Sequence, residues 1–108
     1  MRLLVLLILA SALLGCYKED ERASDFALTH ELKDERWKSQ WVEGYLKNNS
    51  PTPANKVKIQ MKMYTGRVLA NTQYFRIKEE LFMGDSAHFC ETVGDTISHV
   101  ELTIVLVE

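Results

Sequence analysis

The sequence predicts an all-β protein, a β-sandwich or small barrel, carried behind an N-terminal export segment. Three observations predict the strands. In "KVKIQMKMYTG" the apolar Val57, Ile59, Met61 and Met63 alternate with Lys58, Gln60, Lys62 and Tyr64, the period of a strand with one buried face. The chain end, "SHVELTIVLVE", is rich in Val, Ile and Thr, which fit a pleated surface. Turn-forming residues recur about every 8–12 residues, the spacing of short strands in an all-β domain.

The first element is not a strand. From Leu3 to Leu14 twelve residues carry no charge, behind Met1 and Arg2. A membrane-spanning helix needs roughly 20 apolar residues, whereas a signal-peptide h-region runs about 7–15 behind a basic start. The run therefore reads as an export signal. It ends in "LLGC", Leu13 to Cys16, which resembles the lipobox of bacterial lipoproteins. That resemblance implies diacylglycerol on the Cys16 thiol, cleavage after Gly15 and acylation of the new amino terminus. One acyl chain binds a membrane reversibly, while two or three hold a protein firmly, at about 0.8 kcal/mol per buried methylene. Lipoproteins kept in the inner membrane of many Gram-negative bacteria carry Asp after the Cys. This chain carries Tyr17, so the resemblance implies the periplasmic face of the outer membrane.

The expected division is a signal peptide over 1–15, a lipidated Cys and tether over 16–24, and one domain over 25–108. Tyr17 to Ser24 is charged and poor in apolar residues, a solvated tether reaching roughly 26–29 Å if fully extended. Of the 13 Lys and Arg, cleavage removes only Arg2, and it removes none of the 15 Asp and Glu. The mature chain is thus mildly acidic, and without a basic stripe it has no electrostatic footprint for nucleic acid.

Along the domain, "DFALTHELKDERW" fits two periods. With period two, Phe26, Leu28, His30 and Leu32 share a face; with period 3.6, Leu28, Leu32 and Glu35 do, behind a possible N-cap at Ser24. Strand is the preferred reading. "SQWVEGYLKNN" gives the next strand, ended by the loop residues Asn48 to Pro51. After the alternating strand, Gly66 supplies a tight reversal into "RVLANTQYFRI", with Leu69, Phe75 and Ile77 among its β-formers. The turn "MGDS" leads into a strand from "HFCETV". In the last strand Val100, Leu102, Ile104 and Leu106 are expected on one face.

The order Gly44, Asn48, a loop, "VKIQMKMYTGRVL", a further strand, "LFMGDSAHF" and a terminal strand resembles the FxLYD domain, an immunoglobulin-like module of exported and lipid-anchored bacterial proteins. The naming motif falls on Met61, Lys62, Met63, Tyr64 and Thr65, where Tyr64 is the literal match and the two Met keep the apolar face. Leu81 to Gly84, with Phe89 following, matches a second motif. The resemblance covers about Phe26 to Glu108 and implies a small immunoglobulin-like β-sandwich without catalytic residues.

No catalytic pattern competes with that reading. His30, His88 and His99 stand in no paired ligand spacing, so no metal and no cofactor are expected. His88 and Cys90 share a strand face but have no orienting third group. Ser86 lacks a G-x-S-x-G context. Asp20-Glu21 and Glu79-Glu80 read as solvated charge. With Cys16 lipidated, Cys90 has no intramolecular partner. If Phe89 faces the core, Cys90 faces out, an accessible thiol able to cross-link, although free cysteines are usually buried. The expected function is a non-catalytic protein-interaction module, held to the membrane by its lipid and bound to another envelope protein. The alternative is a small periplasmic inhibitor or ligand-binding lipoprotein, for which "NNSPTPANK", stiffened by Pro51 and Pro53, is the candidate loop.

Overall fold

A computed structural model describes residues 19–108, and the export signal, Cys16 and its lipobox lie outside the described residues. After a 3-10 turn at Ala23–Asp25 come six strands: β1 Phe26–Lys33, β2 Gln40–Asn48, β3 Val57–Thr65, β4 Val68–Ile77, β5 Ser86–Gly94 and β6 His99–Val107. They form two antiparallel three-stranded sheets, in the orders β1-β2-β5 and β4-β3-β6. Two connections are hairpins and three cross between the sheets, which gives a small immunoglobulin-like sandwich. Among the described residues no helix is long and apolar enough to cross a membrane.

The core lies where the inner faces meet. Val42, Leu46, Ala87 and Phe89 come from one sheet, and Val57, Ile59, Met61, Met63, Val100 and Ile104 from the other. The ambiguous segment is a strand, because pairing with β2 places Phe26, Leu28 and Leu32 against this core. It lies close over Gly44, where a Cβ would meet the Thr29 carbonyl oxygen and the His30 Cα. Gly66, at φ +62°, closes the two-residue turn between β3 and β4.

Two expectations need correction. The register of β6 shifts where Ile59 pairs with Ile104 but Lys58 pairs with Leu106, leaving Val105 as the extra residue of a bulge. A bulge reverses the faces beyond it. Leu106 is therefore exposed, and Val107 packs against the core instead. The second correction concerns the tether. From Asp20 onward the chain is docked: the Asp20 N–H donates to the Ile104 carbonyl at 2.8 Å, its carboxylate accepts from the Val107 N–H at 3.0 Å, and the Arg22 guanidinium donates to the Pro53 and Thr52 carbonyls. Composition marked this stretch as solvated because its charged groups bind backbone atoms far away in sequence.

Candidate interaction surface

The residues singled out by the motifs divide into core, turn and surface. Met61 and Met63 are fully buried on β3, and Phe89 on β5 packs its ring 5.1 Å from that of Phe75. Gly84 adopts φ +89° in the turn before β5, where its N–H donates to the Asn48 carbonyl. Asn48 is itself completely buried. Its side-chain amide donates to the Leu81 and Thr52 carbonyls, and its Oδ1 accepts from the Ser50 N–H. These bonds hold the loop from Asn48 to Lys56 against the sandwich, and within it Ala54, bridged to Leu81, is buried. Gln40 does the same at the opposite end of β2, exchanging two hydrogen bonds with Ile97.

Tyr64 faces outward. Its ring stacks on His99 at 4.5 Å, nearly parallel, and its hydroxyl donates to the Glu101 carboxylate at 3.3 Å. Partial burial, followed by the charge and hydrogen bond of Glu101, raises the phenol above its ordinary pKa.

The three histidines make separate contacts. His30 bonds the Val100 carbonyl at 3.1 Å, and His88 stands edge-on to Tyr45 with its Nε2 3.4 Å from the Glu43 carboxylate. Cys90 is an exposed free thiol on the same outer face as His88. Among the described residues no three His, Cys, Asp or Glu gather as a metal site.

The strand edges are the other feature that could act. An unpaired edge offers N–H and C=O groups to another chain. The β6 edge is partly occupied: Asp20 takes the Ile104 carbonyl and the Val107 N–H, and His30 takes the Val100 carbonyl. Those bonds also establish the direction of the whole sheet. In an antiparallel ladder each residue turns its N–H and C=O to one side and its neighbours turn theirs to the other. Val100 and Ile104 point away from β3, so their ladder partners Met63 and Ile59 point toward β4. There they meet Asn71 and Phe75. Consequently Thr72, Tyr74 and Arg76 direct their backbone groups out of the sheet. The Thr72 N–H agrees, since it finds only the side chain of its neighbour Asn71, at 2.8 Å.

The β4 edge is also the more apolar. Val68 is 68% exposed, and Leu69 and Tyr74 are each about half exposed, while β5 exposes no large apolar side chain. Sequence reasoning found the strand but not its place at an edge, since period-two alternation says nothing about which strands are neighbours. One signal was present: "VLANTQYFRI" lacks the apolar–polar alternation that "VKIQMKMYT" carries throughout.

No family model, curated protein or solved structure matches this chain.

Proposed function

We propose that the chain is a lipid-anchored envelope protein whose sandwich is a non-catalytic interaction module, presenting the edge of β4 to another envelope protein. The observation that carries this reading is the asymmetry of the edges. Asp20 and His30 cover backbone groups on β6, whereas ten-residue β4 keeps an open edge flanked by exposed apolar side chains. Proteins ordinarily shield long edges, and strand addition is a common way of using one left open. The lipobox-like "LLGC" supports the anchor, with Cys16 as the acylated residue. Tyr17 in place of Asp supports the outer membrane.

The loop from Asn48 to Lys56 does not favour the inhibitor reading over this one. Its one buried polar side chain, Asn48, is spent on fastening the loop, through the Leu81 and Thr52 carbonyls and the Ser50 N–H.

The experiment has two arms. Labelled palmitate should enter the wild-type protein and fail to enter Cys16→Ser; equal incorporation would remove the anchor. Purification of the full-length protein from detergent-solubilised envelopes should recover a stoichiometric partner. A cell-wall lytic enzyme as that partner would support the inhibitor instead, and recovery of the protein alone would contradict both.

A further inference from the structure

Resting on that reading, we infer that the outer edge of β4 is a docking strand for an extended, acidic segment of a partner protein, which hydrogen-bonds to Thr72, Tyr74 and Arg76 and sets a carboxylate beside the Arg76 guanidinium.

The backbone supplies the first part. The Thr72 C=O and both backbone groups of Tyr74 and Arg76 face out of the sheet, and among the described residues none of these five groups has a partner on that side. They are spaced two residues apart, which is the repeat of an added strand.

Charge supplies the second part. The hairpin over residues 57–77 holds Lys58, Lys62, Arg67 and Arg76 and not one Asp or Glu, in a chain where acids outnumber bases 15 to 13. Arg76 is exposed and pairs with no carboxylate among the described residues. Lys58, opposite Arg76 in the ladder, sits 4.8 Å over the Tyr74 ring, so positive charge is gathered beside the open edge.

This sign selects among occupants. A second copy would bring an equally basic hairpin edge to edge with the first, which repulsion disfavours. An anionic membrane suits the charge but offers no strand to pair the open N–H and C=O groups. The hairpin tip at Gly66 also bonds Ser98, at one end of β6, whereas Asp20 is fastened at the other end, to Ile104 and Val107. The anchored N-terminus and the basic tip therefore leave the sandwich at opposite ends of that strand. A protein strand carrying acidic side chains satisfies both the backbone groups and the field.

The test uses the full-length protein in neutral detergent with two synthetic ten-residue peptides that alternate valine with glutamate or valine with lysine. The glutamate peptide should bind, more weakly as salt rises, and the lysine peptide should not. Arg76→Glu should weaken glutamate-peptide binding about tenfold or more while leaving the melting temperature close to wild type. Tyr74→Pro, which removes an edge-directed N–H, should abolish it. Equal binding of both peptides, or binding unchanged in Arg76→Glu, would overturn the proposal. So would concentration-dependent dimerisation that Arg76→Glu alters, or retention on anionic vesicles with no peptide binding. Envelope purification separates this failure from that of the underlying reading. A partner kept equally by wild type and Arg76→Glu would sink the β4 proposal and leave the interaction module standing; no partner on the wild type would sink the module itself.

Discussion

At Gly44 the structure leaves no room for a side chain. An added Cβ would run into the Thr29 carbonyl oxygen and stand 2.8 Å from the His30 Cα, both backbone atoms of β1. Backbone gives way less readily than a flexible side chain, so Gly44→Ala should cost about 1–3 kcal/mol, the range for overpacking, seen as a lower denaturant midpoint. An unchanged midpoint would mean that β1 does not lie so close over β2. Tyr64 carries a pH dependence. Its phenol is raised in the folded chain, first by partial burial and then by Glu101. A group raised on folding contributes stability that is fully present below its unfolded value, about 10, and lost as pH rises through the folded one. Stability should accordingly decline in alkali, and less so in Tyr64→Phe. Spectrophotometric titration should show one tyrosine ionising late, shifted back toward the ordinary value by Glu101→Gln. Cys90 is a simpler case: being exposed, it should react with a maleimide in the native protein at a rate close to that of the unfolded chain. Labelling only after denaturation would show it to be covered.

Among the elements, β6 separates pattern from packing most clearly. Simple alternation places Leu106 inward with Ile104, whereas the bulge at Val105 turns Leu106 outward and Val107 to the core. Leu106→Lys should therefore change stability by no more than about 0.5 kcal/mol, while Val107→Lys, which sets a charge against apolar neighbours, should cost several times that. The reverse order, measured by denaturant melts, would restore the unbroken alternation. The contrast also shows what was legible in the sequence. Strand β3 was legible at every position but one: Met61 and Met63 lie inside and Lys58 and Lys62 are half-buried outside, as the alternation gives, whereas Gln60 on the polar face is buried, its amide donating to the Tyr74 hydroxyl. The bulge in β6 was not legible, since an extra residue is defined by the partner strand rather than by its own chemistry. The docking of Asp20 and Arg22 was hidden for the same reason. Their partners, Ile104, Val107, Thr52 and Pro53, stand some 30 to 87 residues away in the chain.

At the scale of the whole molecule, the sandwich fastens its N-terminal segment against β6 and leaves the edge of β4 open. The fold class was legible because two-sided alternation is a global signal, repeated in every interior strand. The interaction surface was legible only as a class, since neither the neighbours of β4 nor the direction of its backbone groups is written in a period of two. Hydrogen exchange separates an open β4 edge from an occupied one. In the purified protein the outward N–H groups of Tyr74 and Arg76 should exchange quickly, while the ladder-bonded Gln73 and Phe75 should be protected. In native envelopes Tyr74 and Arg76 should slow markedly, and residues of β6 should stay as they were. Exchange at Tyr74 and Arg76 that is equally fast in both settings would mean that no strand is added to β4 in the envelope.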